Sequence, residues 1–147
     1  MRGVNRITIH HEGTPDAVYF SDPRTTAKRL ESIRRGHRGR GWSDIGYHYV
    51  VDRAGRVWEG RPLKYQGAHV KDQNEHNIGV MVLGNFNKQY PTDVQLTTLR
   101  STVQYLRRRY HVSQGAIFTH QELNATSCPG RQLQPRVSTM RGAGQFA

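Results

Sequence analysis

Six consecutive residues, Ile78-Gly79-Val80-Met81-Val82-Leu83, carry no polar side chain and do not alternate with polar ones. A short run of this kind reads as a strand buried on both faces. A strand needs cover on both faces where helices pack above and below a sheet, so the rest of the chain must supply those helices. It does. Pro91-Thr92-Asp93 opens a helix in which Leu96, Leu99, Val103, Leu106 and Tyr110 form one stripe. Ser21-Asp22-Pro23 offers a cap and a first-turn proline for a second helix over roughly Thr25–Gly36, with Ala27, Leu30 and Ile33 at helical spacing. Gly36, Gly39 and Gly41 then predict an arginine-rich loop. Ile7–His10 and Ala116–Thr119 read as short strands, and Tyr47–Val51 with Val57–Glu59 as a hairpin about the turn Asp52–Gly55. Arg61–His76 has no regular period, and the polar stretch from Arg131 predicts a loosely packed tail. The expected architecture is a single α/β domain with a central sheet flanked by helices.

A chain of 147 residues suits one domain, and it buries enough surface to fold without disulfides. Cys128 is its only cysteine, so no internal disulfide is available. The formal charge of +11 attracts polyanions, whether nucleic acid, anionic membrane or an anionic cell envelope, and also serves solubility. No long basic arm and no RNA-binding signature accompany the charge, which argues against a nucleic-acid partner. No apolar run approaches the ~20 residues of a membrane-spanning helix, and Met1–Asn5 leads into no signal-peptide core. The expectation is a soluble protein with no integral membrane segment, made in the cytoplasm.

His10, His120 and Cys128 fall at strand ends or in the loops that follow. Two imidazoles and a thiolate are ligands that zinc accepts, and three protein ligands leave a fourth position for water, as in catalytic sites. Eight histidines make such triples easy to find by chance, so spacing alone is weak evidence.

The surrounding words are more specific. Ile9-His10-His11, Gly41-Trp42-Ser43-Asp44-Ile45-Gly46-Tyr47-His48, Glu59-Gly60-Arg61, Gly67-Ala68-His69, Asn77-Ile78-Gly79-Val80 and Thr119-His120 through Cys128-Pro129-Gly130 occur in that order. Together they resemble the N-acetylmuramoyl-L-alanine amidase type 2 family, which includes phage amidase lysins and peptidoglycan recognition proteins. The resemblance spans roughly Arg6 to Leu133, which implies an amidase domain over 1–133 and leaves 134–147 as the tail. It implies a mixed central sheet with one zinc ion in a groove at its edge, held by His10, His120 and Cys128. It implies Tyr47 as the hydroxyl that assists catalysis and Thr126 as a second catalytic position. Trp42 becomes a groove wall, and Arg61, Lys64, His69 and Asn77 become candidate substrate contacts, although tying down backbone is the stronger expectation for Asn77 and a surface ion pair the alternative for Arg61. Lys64 is the expected selector for the extra carboxylate of diaminopimelate in the stem peptide. The implied partner is peptidoglycan or a muropeptide, and the implied protein is a monomeric amidase acting on the cell wall. The positive charge and the lack of a visible signal peptide lean towards an endolysin-type enzyme, with a bacterial wall-remodelling enzyme and a delivered antibacterial effector as the alternatives. Relatives of the cytoplasmic recycling kind carry a glutamate on the strand matching Val80–Leu83; this chain has none there.

Competing readings use the same residues. Cys128 in a Cys–His peptidase would be a nucleophile rather than a ligand, but Pro129-Gly130 after it opposes an activating helix. Asp52 and Glu59 would be the carboxylate pair of a glycosidase. Loss of the reaction would leave a non-catalytic peptidoglycan-binding module. Among the other histidines, His11 should face away from His10, His48 should pack in the core, and His37, His76 and His111 should be solvated.

Overall fold

The computed structural model describes residues 1–147. Five strands form one mixed sheet: β1 (Arg6–His11), β2 (Tyr49–Val51), β3 (Val57–Glu59), β4 (Asn77–Val82) and β5 (Ile117–Thr119), in the order β3-β2-β4-β1-β5. β1 pairs in parallel with β4 and β5, β2 pairs in parallel with β4, and only the β2–β3 hairpin is antiparallel. The predicted two-sided strand is therefore the centre of the sheet, and every residue of β4 is buried.

Side chains that alternate along these strands supply two layers. Ile7, Ile9, Val51, Ile78, Val80, Val82 and Ile117 meet Leu99, Val103 and Leu106 of helix α2 (Asp93–Tyr110) in the larger core. Val50, Met81 and Leu83 point the other way and meet Leu30 and Ile33 of helix α1 (Pro23–Gly39). Both helix starts are capped as the sequence suggests: Asp22 accepts from the Thr25 amide, and Thr92 and Gln95 form a reciprocal capping box.

Two elements depart from expectation. Helix α1 does not stop at Gly36 but runs on to Gly39. Its extra turn carries His37, whose ring is held by contacts with Trp42 and Tyr47, and that tertiary packing outweighs the cost of about 1 kcal/mol for a helical glycine. The tail is not loose either. Residues Gln134–Gly142 form helix α3, and Val137, Met140 and Phe146 enter the larger core. β5 is the edge strand beside β1, and α3 packs against it.

Candidate metal centre and groove

β1 delivers His10 at the far end of the sheet, where it is almost wholly buried. β5 ends at Thr119 one strand away, so His120, in the single 3-10 turn that follows, arrives beside it at 4.7 Å between ring centres. The Gln121 amide donates to the Cys128 carbonyl at 2.8 Å, folding the last loop back onto this turn. The loop is seated from its other side as well. Gly130 has φ +95° and lies so close to the Phe86–Asn87 backbone that a Cβ would come within 2.6 Å of the Phe86 carbonyl carbon. Any side chain there would lift Cys128 away from the two histidines.

The three candidate ligands converge, with one donor atom from each lying within 4.8 Å of the others. Cys128 Sγ is 3.6 Å from His10 Nδ1. Tetrahedral zinc with ordinary Zn–S and Zn–N lengths would hold a sulfur and a nitrogen about 3.6 Å apart. The donor set and this spacing both fit zinc. Burial first, then the neighbouring His69, His120 and His11, holds His10 well below the usual histidine range, so its ring is neutral and its lone pair free. Burial pushes the Cys128 thiol up to about 12. A nucleophilic cysteine needs the opposite shift, whereas a cation beside the sulfur would remove the proton outright.

His120 and Tyr47 open onto a groove of about 500 Å3, whose walls include His37, Arg40, Trp42, His69 and Lys71. Trp42 forms one wall as expected, with the Arg40 guanidinium 5.6 Å above its ring. Burial pushes the Tyr47 hydroxyl above its ordinary range, so it stays a proton donor. Thr126 is exposed on the cysteine loop, and its hydroxyl accepts from the Cys128 amide at 3.2 Å.

Of the remaining expected substrate contacts, Arg61, Lys64 and Asn77 are placed elsewhere. Arg61 is buried and donates to three backbone carbonyls, those of Ile45, Gln66 and Asp44. It braces the 44–66 loops and does not line the groove. Lys64 is exposed outside the groove, its ammonium 5.1 Å from the Tyr65 ring centre, so Arg40 and Lys71 are the cations on the groove wall. Asn77 is fully buried, accepting from the Thr8 hydroxyl and donating to the Gln73 carbonyl. His69 borders the groove, but both its ring nitrogens already have partners, His10 Nε2 at 2.9 Å and the Asn77 carbonyl at 3.0 Å.

His37 is not solvated as its sequence position suggested. It is half-buried in the groove wall and accepts from the Gly46 amide at 2.9 Å. Its spacing from Leu30 and Ile33 on the inner stripe of α1 was the available signal. His11 faces away from the groove, as strand alternation requires, and accepts from the Phe86 amide. His48 is buried, accepting from the Gly79 amide and donating to the Tyr65 carbonyl. Asp52 is committed to its hairpin, accepting from Ala54, Arg56 and Trp58, which removes it from any glycosidase pair.

A three-layer α/β fold with a His-His-Cys cluster at the end of parallel strands, beside an open groove, defines a candidate metal-binding scaffold. The family follows from comparison: the profile of the N-acetylmuramoyl-L-alanine amidase family matches residues 1–131, and the chain belongs to it. The N-acetylmuramoyl-L-alanine amidase of Sus scrofa is 35% identical over 128 residues, covering 85% of this chain and 21% of that protein. The chain thus spans about a fifth of the length of that relative. Peptidoglycan-recognition protein SC2 of Drosophila melanogaster is 31% identical over 133 residues, covering 89% of this chain and 71% of the relative. Among solved structures, the endolysin N-acetylmuramoyl-L-alanine amidase LysCS of Clostridium intestinale superposes with a TM-score of 0.77 at 29% identity, covering 94% of this chain and 84% of that one. No helix is long and apolar enough to cross a membrane.

Proposed function

We propose that the protein is a zinc-dependent N-acetylmuramoyl-L-alanine amidase of lytic, endolysin type, which hydrolyses the amide between the lactyl group of N-acetylmuramic acid and L-alanine in peptidoglycan. The observation that carries this reading is the convergence of His10, His120 and Cys128 beside a groove that His120 and Tyr47 help to line. Those three side chains would hold the ion. When bound, zinc supplies Lewis acidity and brings the pKa of coordinated water towards ~7.

The chain's own groups account for the rest. Tyr47, kept protonated by burial, donates to the oxygen on which negative charge develops during attack. Thr126 accepts from the Cys128 amide, which ties down the backbone that carries the sulfur, and its own hydroxyl proton is left to orient the attacking water. Trp42 gives the glycan-linked end an apolar wall, and Arg40 and Lys71 attract the carboxylates of a stem peptide. Hydrolysis balances with one water: the hydroxyl adds to the lactyl carbonyl, and the L-alanine nitrogen leaves as an amine carrying the second proton.

The test is digestion of purified peptidoglycan by wild type and by Cys128→Ser, each stripped of metal and then given zinc. New L-alanine amino termini should appear only with zinc-loaded wild type. Fragment binding without new termini would replace the amidase with a non-catalytic peptidoglycan-binding module. Activity that persists in chelator and is lost to a thiol alkylator would replace it with a cysteine peptidase.

A further inference from the structure

We infer that His69 is a positioning residue for the metal centre: its ring sets which nitrogen of His10 carries the proton and thereby which nitrogen faces the ion. The inference rests on the zinc reading given above, but its evidence lies in the hydrogen bonds. A backbone carbonyl has no proton to give. The 3.0 Å contact from His69 Nε2 to the Asn77 carbonyl therefore fixes the His69 proton on Nε2. His69 Nδ1 is then bare and must accept, so the proton in the 2.9 Å contact with His10 belongs to His10 Nε2. His10 Nδ1 is left unprotonated, and it is that nitrogen which lies 3.6 Å from Cys128 Sγ. One carbonyl on β4 thus dictates, through two rings, the ligand atom at the end of β1. Metal-bound histidines commonly depend on such an outer partner for ring orientation.

The packing around His69 serves that task. A Cβ at Gly79 would come within 2.7 Å of its ring, and a Cβ at Gly67 within 2.6 Å of its Cδ2. Two glycines therefore clasp the ring, one on the sheet and one on the loop before it. Asn74 Oδ1 accepts from the His69 and Val70 amides at 2.8 Å, pinning the backbone from which the ring hangs. The residue as a whole is only 8% exposed. A group built to grip substrate would keep a donor or acceptor turned to the groove; His69 keeps neither.

The experiment is nitrogen-15 NMR of the histidine rings in wild type, first metal-free and then with zinc. In the metal-free protein, a one-bond proton should be seen on Nε2 of both His10 and His69, with scalar coupling from His10 Nε2 across to His69 Nδ1. A proton on Nδ1 of either ring overturns the inference. Adding zinc should perturb His10 at Nδ1; perturbation at Nε2 also overturns it. Failure of wild type to bind zinc at all would sink the metal reading, while the metal-free spectrum still decides the relay. Zinc affinity, measured by competition with a chelator, supplies the second arm. His69→Leu should bind zinc about 10- to 100-fold more weakly. His69→Gln, whose amide can accept from His10 and donate to Asn77, should recover most of that loss. Unchanged affinity in a folded His69→Leu protein would reject the role.

Discussion

Tyr47 stands 5.2 Å from His10 and 5.7 Å from His37, ring centre to ring centre, so it is held between a candidate ligand and the groove wall. Its ring would stay in place without the oxygen, which makes Tyr47→Phe a clean probe of the hydroxyl. The variant should keep its fold and zinc content while kcat falls about 10²- to 10³-fold, the usual effect of removing one donor to a developing oxyanion. A fall in zinc content instead would assign the hydroxyl to the metal. Gly79→Ala should act differently. With a Cβ placed 2.7 Å from a ring that cannot retreat, zinc affinity should drop before activity at saturating zinc does. At this scale the His-His-Cys cluster was legible in the sequence, because each of its members stands at the end of a recognisable strand or in a distinctive word. The role of Arg61 was not. Its donors are satisfied by carbonyls of Ile45, Gln66 and Asp44, and nothing local in the sequence reports where a distant carbonyl will point.

Among the elements, α3 links stability to the centre most directly. Arg141 on α3 makes a paired contact with Glu122, 2.7 Å at each nitrogen, and Glu122 also accepts from the Thr119 amide. That carboxylate sits in the turn that carries His120, so the last helix braces a candidate metal ligand from outside the groove. Arg141→Met should cost only about 1 kcal/mol of stability, since the pair is partly exposed, yet it should weaken zinc binding measurably. Phe146→Ala should cost about 3–5 kcal/mol, as expected for an aromatic removed from a filled core. Thermal unfolding of the two variants, with and without zinc, separates the effects. An unchanged melting temperature in Phe146→Ala would show that the tail is as dispensable as its composition suggests. Composition misleads here because Val137, Met140 and Phe146 are scattered among polar residues, and the core they complete is built by strands and a helix earlier in the chain. β4 and α2 were legible because their patterns are continuous and their burial is nearly decided by their own residues.

Across the whole molecule, the buried histidines set the response to acid. Burial is the first cause that lowers His10, His11, His48 and His69, with His11 at about 4 and His69 at about 3. The unfolded chain takes up protons on these rings near 6.5, whereas the folded chain resists until pH is far lower. Between those limits the unfolded state binds more protons, so stability must rise with pH and be lost as pH falls from about 6.5 towards 4. Each histidine contributes a slope of up to ~1.4 kcal/mol per pH unit in that window. Glu122 extends the loss downward. The hydrogen bond from Arg141 lowers its pKa first of all, so its contribution is present above the unfolded carboxylate range and disappears as pH falls through the folded value. A formal charge of +11 before any histidine is protonated adds repulsion in the same direction. Urea unfolding of the chelator-treated protein should therefore show a midpoint that falls steadily from pH 7 to pH 4.5. His11→Gln should flatten that slope by about one proton's worth, because Gln can still accept from the Phe86 amide and does not titrate. A midpoint that is level across the window would mean that these rings are solvated in the folded protein, and the sealed histidine cluster under the groove would have to be abandoned.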